Sequence, residues 1–226
     1  MKLKKDYINF QKIISQRSIS ELIHFTPTKN LYSIFEQGEI MSRARLESLD
    51  IEQYDILDYV QFTDNVRYDD KNYINLSLSG PNTFLFSKFQ EKTQDDLTIT
   101  WCVLKIDPKY IYDENTLFSV TNAASNAAQR QYGITGDIEK FKMLFLPELK
   151  IKTYNGERIS RRNGIKDKYP TDIQAEILVK DSIPIDSILS VCFKNEQELA
   201  MTKAALSGFD TSKFMVEPSI FKPNRK

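Results

Sequence analysis

An α+β fold is what the patterning of this chain predicts, and three observations carry the prediction. Apolar runs of strand length outnumber the stretches with helical spacing. The strands are not separated by regularly recurring helices, as a doubly wound α/β sheet would need. The chain has 226 residues, 41% of them hydrophobic and 27% charged, which suits one domain over residues 1–226 with a core that needs no disulfide or metal.

In chain order, residues 1–20 read as a polar helix or arm, and ELIHF (21–25) as a short strand. TPTKNLYSIFEQG (26–38) carries full helix punctuation: Thr26 as N-cap, Pro27 at the first helical position, Leu31, Ile34 and Phe35 at helical spacing, and Gly38 as the stop. A strand is therefore expected to run straight into a helix start at His24-Phe25-Thr26. The acidic segment 46–70 lacks a firm period and reads as helix plus loop. INLSLSG (74–80) alternates as a strand and turns at Gly80-Pro81-Asn82, while LTITWCVLKI (97–106) is the clearest strand, stopped by Asp107-Pro108.

DIEKFKMLFL (137–146) has helical spacing. After Pro147 a basic stretch of about 25 residues, 148–172, is too long for an ordinary connection and reads as a functional loop. It leads into a strand over Ile173–Val179 that carries Glu176. ILSVCF (188–193) reads as a strand, NEQELAMTKAAL (195–206) as a helix and KFMVEP (213–218) as a last strand.

Total charge says little, because 31 basic residues balance 31 acidic ones. Its distribution says more. Residues 47–70 hold eight carboxylates and one base, Arg67, whereas residues 149–168 carry an excess of five positive charges, enough to hold a polyanion. Cys102 and Cys192 sit in apolar runs as small core hydrophobes. No apolar leader follows the start, and no run of about 18 apolar residues occurs, so a cytoplasmic protein without a membrane segment is expected. Phosphate-binding loops, dinucleotide glycine motifs, H-E-x-x-H and paired C-x-x-C are all absent, and His24 is the only histidine. A metal site is therefore not expected.

Three residues stand out chemically. His24 reads either as a half-buried histidine bonded to backbone or, with Thr26, as a polar contact for a ligand at a helix start. Arg67 is either an arginine in surface ion pairs or a fork of donors for a phosphate. Glu176 interrupts an apolar run, where an ionised carboxylate must be paired, protonated or turned into a cleft unless the strand is a solvent-facing edge.

These pieces resemble the DarT-type DNA ADP-ribosyltransferases, toxins paired with a macrodomain antitoxin. IHFTPTKNLYSIFEQGEI is similar to the family's opening His-x-Thr, Asn-Leu, Ile and Gly pattern. TDNVRYDDKNYINLSLSGPNTFLFSKF is similar to its Arg-x-Asp segment and Ser-x-Ser-x-x-Pro-Asn turn, and VTNAAS and TDIQAEILVKDSIPIDSIL follow in family order. The resemblance spans about residues 21–193. It implies a core of two small packed β-sheets around an NAD cleft, with flanking helices. It also implies His24, Thr26, Asn30, Ser33 and Arg67 as NAD contacts, Glu176 and Arg67 as catalytic residues, and NAD as co-substrate without a metal.

The resemblance implies further that the segment 148–172 meets DNA, with Tyr154, Arg158, Arg161, Arg162 and Lys166 as its candidates, and Tyr154 or Tyr169 stacking on a base. The implied reaction transfers ADP-ribose to a base of single-stranded DNA, thymidine first and guanosine second. RNA or protein as acceptor, and a nucleic-acid-binding module without catalysis, are the other readings open at this point.

Overall fold

A computed structural model of the chain describes residues 1–51, 70–153 and 155–226. Its helices are α1 (Tyr7–Gln16), α2 (Asn30–Gln37), α3 (Arg43–Ser48), α4 (Thr83–Lys92), α5 (Ile138–Met143) and α6 (Glu196–Ala205). Its strands are β1 (Leu22–Pro27), β2 (Glu39–Met41), β3 (Tyr73–Leu78), β4 (Trp101–Ile106), β5 (Leu117–Ser119), β6 (Glu148–Thr153), β7 (Gly156–Arg161), β8 (Glu176–Lys180), β9 (Ser182–Pro184), β10 (Ile188–Phe193) and β11 (Phe214–Val216).

Among the described residues seven strands form one sheet in the order β11-β10-β4-β1-β3-β8-β5, antiparallel throughout except between β10 and β11. The two small sheets expected from the resemblance are the two halves of this sheet, which share β3. The C-terminal end of β3 pairs with β1 at Leu22↔Leu78 and Ile23↔Ser77, whereas Tyr73 to Leu76 pair with β8. Past Ile23, β1 stays with β4 as far as Pro27↔Trp101. The two halves therefore diverge.

Two-residue alternation assigns each strand face to a separate apolar layer. Leu22, Leu76, Leu78, Leu104, Ile106, Ile177 and Val179 face one layer, with Phe10 of α1, Leu31 and Ile34 of α2 and Phe141 of α5. Ile23, Trp101, Val103 and Cys192 face the other, with Phe86 and Phe89 of α4 and with Phe221. Phe25 stacks on Phe86 there at 4.5 Å between ring centroids. Each of these buried side chains contributes about 1.5–3 kcal/mol by leaving water. Burial pushes the Cys102 thiol up, and the Cys192 thiol up to about 11, so both are core hydrophobes, as read from the sequence.

Three expectations are corrected. Thr26 is not a helix cap: it and Pro27 belong to β1, and α2 starts at Asn30 with Lys29 in the cap position. Thr28 donates its N–H to Thr100 O beside β4, so the missing N–H of Pro27 falls on the side that β3 has left, where no ladder bond is lost. The stop at Gly38 holds, with φ at +74°.

The segment 148–172 is not one long loop. Its first part is the hairpin β6–β7, paired from Glu148↔Arg161 to Thr153↔Gly156. Finally, the strand bearing Glu176 begins at Glu176 itself, because a turn in which Ala175 N–H donates to Asp172 O occupies the residues before it. The acid thus stands at a strand mouth. Among the described residues no helix is long and apolar enough to cross a membrane.

Candidate active site

Where β1 and β3 separate, a cavity of about 320 Å³ opens. His24 and Thr26 reach it from β1, Asn30 from the first turn of α2, Asn75 from β3 and Glu176 from β8. Four of the residues singled out in the sequence, spread over 152 positions of chain from His24 to Glu176, therefore share one hollow. The Thr26 hydroxyl accepts from Asn30 Nδ2 at 3.0 Å, which fixes both polar side chains as buried members of the wall.

His24 Nδ1 lies 3.4 Å from the carbonyl oxygen of Asn75. Only a protonated Nδ1 can donate there, which leaves Nε2 as an acceptor in the neutral ring. Burial lowers the pKa of His24 below its ordinary value, with the Asn75 contact opposing, so the ring is neutral near pH 7. The cavity consequently presents a neutral hydrogen-bonding edge on this side.

Glu176 is 7% exposed. One of its oxygens, Oε2, accepts from the backbone N–H of Ala123 at 2.7 Å and from Asn75 Nδ2 at 3.3 Å. Strand pairing supplies this geometry. Ser119 of β5 lies opposite Glu176, and the chain leaving β5 brings Ala123 back over the carboxylate. Asn75 lies opposite Leu178 on β3 and so shares a face with Glu176. Donors of this kind favour the ionised carboxylate and meet part of the cost of burying it. The reading of the sequence missed both partners. Asn75 has no local signal that links it to a residue 101 positions away, and Ala123 acts through its backbone, although it falls inside the VTNAAS block.

The remaining candidates are placed as follows. Ser33 lies on α2 outside the cavity lining, and its buried hydroxyl has no hydrogen-bond partner among the described residues. Arg67 and Tyr154 lie outside the described residues. Arg161 is exposed on β7 and pairs with Glu148 at 2.8 Å. Arg158 donates to Asp172 Oδ2 at 2.6 Å. Arg162 donates to the carbonyls of Tyr169, Lys166 and Asp167 at 2.7–3.0 Å, and Lys166 to that of Asn224 at 3.0 Å. Tyr169 cannot stack on a base as expected: it is 5% exposed, wedged against Gly80 with Arg225 at 5.6 Å from its ring.

Comparison with known proteins agrees with this architecture. No curated protein matches the chain by sequence. Among solved structures, the chain is similar to Thermosipho africanus DarTG in complex with ADP-ribose, at TM-score 0.57 and 18% identity, over 92% of this chain and 52% of that one. The chain thus spans about half the length of that relative. It is also similar to Thermus sp. 2.9 DarT in complex with NAD+, at TM-score 0.55 and 10% identity, over 88% of this chain and 96% of that one. The same Thermus protein in complex with ADP-ribosylated ssDNA gives TM-score 0.55 and 9% identity over 89% of this chain and 96% of that one. These likenesses bear out the α+β fold, and the Thermus structure holds NAD+, the co-substrate that the resemblance implied. The family model for the ssDNA thymidine ADP-ribosyltransferase DarT matches residues 23–222, and the chain therefore belongs to the DarT family.

Proposed function

We propose that Glu176 is the carboxylate around which the family's reaction, transfer of ADP-ribose from NAD+ to thymidine in single-stranded DNA, takes place in this chain. The observation that carries this is the carboxylate of Glu176, held by two donors at the edge of the hollow that also exposes His24, Thr26 and Asn30. Nicotinamide leaves with the pair of the C1′–N bond, and positive charge builds on the ribose. A carboxylate fixed beforehand stabilises that charge without reorganising. The new bond joins C1′ to a nitrogen of thymine, whose proton must go to a base, and Glu176 is the group in reach to take it.

His24, Thr26 and Asn30 supply the neutral polar wall for the rest of NAD+, and the resemblance alone assigns Arg67 a share in NAD+ binding and catalysis and Ser33 a share in the binding. On the acceptor side, the exposed side chains Lys150 and Lys152 of β6 and Arg161 of β7 are the cations that meet the DNA backbone. The partner that restrains the activity is a macrodomain antitoxin, the chain acts in the cytoplasm, and residues 1–226 form one transferase domain.

The test is incubation of the protein with NAD+ and short oligonucleotides that differ only in base content, followed by mass spectrometry. One added ADP-ribose on thymidine-containing single strands, with release of nicotinamide, is expected. Modification of guanosine or of RNA alone, or binding of DNA with no turnover of NAD+, would overturn the reading.

A further inference from the structure

We infer that Arg158 and Asp172 are positioning residues whose half-buried ion pair ties the β6–β7 hairpin to both supports of Glu176, so that this arginine does not bind DNA phosphate. The inference rests on the reading of Glu176 given above. Asp172 is 0% exposed and lies four residues before Glu176. Its Oδ2 accepts from Arg158 at 2.6 Å and from the Ser160 hydroxyl at 3.1 Å, and its Oδ1 accepts from Gln174 N–H at 2.8 Å. Every oxygen of this carboxylate is therefore engaged in holding the turn that delivers Glu176.

The same guanidinium reaches the second support. Arg158 donates to the Thr121 hydroxyl at 3.3 Å and to Ser160 at 2.9 Å. Thr121 is anchored in turn by its carbonyl, which accepts from the Ser119 hydroxyl at 2.6 Å. Two residues later Ala123 donates its N–H to Glu176. Arg158 thus joins the turn before Glu176 to the loop that holds its carboxylate. A second clamp keeps the hairpin in place: Gln131 and Tyr132 both donate to Lys150 O, at 2.6 and 2.8 Å. Removing one partner of a pair whose carboxylate is buried leaves that carboxylate without its charged donor, so the pair is a requirement of the local fold and not a spare surface charge.

A phosphate contact and a positioning residue differ in salt dependence. The experiment measures transfer to a thymidine oligonucleotide and DNA affinity against salt for the parent, Arg158→Gln, Asp172→Asn and the double variant Arg158→Gln/Asp172→Asn. Each single variant is expected to lower kcat about 100-fold, the cost of a misplaced reacting group, with KM for NAD+ changed less than about threefold. The slope of log affinity on log salt should stay that of the parent. In the double variant two amides replace the ions, and kcat should return to within about tenfold of the parent, a coupling that independent sites do not show.

A slope shallower by about 0.7, with kcat kept and KM for DNA raised, would identify Arg158 as a phosphate contact and overturn the inference. So would a double variant no better than the singles. Should a single variant fail to fold, the kcat and slope of the double variant decide alone. A parent that does not transfer would overturn the function proposed for the site, and this inference with it.

Discussion

The cleft and the basic hairpin solve opposite problems. In the cleft a few polar groups come from separate elements, and each owes its place to strand alternation: His24 and Thr26 on β1, Asn75 on β3, Glu176 at the mouth of β8. In the segment 149–168 cations are abundant, yet part of that charge is used inside the molecule, by Asp172 and by four backbone carbonyls around Arg162 and Lys166. A count of charges in sequence therefore overstates what such a segment offers to DNA, whereas a lone acid in an apolar run understates what it offers to catalysis.

The largest expected effect breaks the comparison at Glu176. Glu176→Gln keeps the shape and the contact with Ala123 N–H but removes the charge, and kcat should fall by about 10³ or more. The melting temperature should stay within about 2 °C of the parent, since an amide oxygen replaces one that accepts from neutral donors. Loss of folding in step with activity would assign Glu176 to structure.

What the sequence revealed follows the same division. Strong periodicity made β4, β10 and α6 legible, and Gly38 marked a true helix end. The helix start was misplaced because Thr26-Pro27 mimics a cap, and only the departure of β3 lets a strand end in proline there. The hairpin was missed because β6 has two buried apolar residues, Leu149 and Ile151, and the apolar residue of β7, Ile159, is 42% exposed. Its one local sign was the dipeptide Asn155-Gly156, a turn signal whose glycine opens β7 opposite Thr153. Glu176 was legible as a buried charge, but its donors Asn75 and Ala123 are set by tertiary pairing that one sequence does not carry.

The next effect sharpens the claim that hairpin charge is structural. Arg162→Ala removes the donor to the Tyr169 carbonyl and one of two donors to each of the Lys166 and Asp167 carbonyls, and should cost about 1–3 kcal/mol in chemical denaturation. The salt slope of DNA binding should not move. A slope change without loss of stability would place Arg162 on the DNA instead. Lys150→Gln and Lys152→Gln test the reverse: each should leave stability within about 0.5 kcal/mol and make the single-stranded DNA slope shallower by about 0.7. An unchanged slope would remove β6 from the DNA face.

The smallest effect concerns His24. Its pKa is lower in the folded chain than in the unfolded one, because burial disfavours the charged ring. The unfolded state then binds more protons as pH falls below about 6.5. Stability attributable to His24 is thus complete above that pH and declines as pH drops towards the folded value. His24→Asn should flatten the melting temperature in that window. A parent more stable at pH 5.5 than at pH 7.5 through His24 would contradict a neutral wall.

The central claim is spatial: the carboxylate at the mouth of β8 meets the ribose that NAD+ places in the hollow between the sheet halves. A crystal structure of the Glu176→Gln variant with NAD+ and a thymidine oligonucleotide tests it most directly. The expected result puts the side chain of residue 176 about 3 Å from a hydroxyl of the nicotinamide ribose, with His24 and Thr26 against the same dinucleotide. NAD+ bound elsewhere on the molecule, or a ribose beyond hydrogen-bond reach of residue 176, would contradict it.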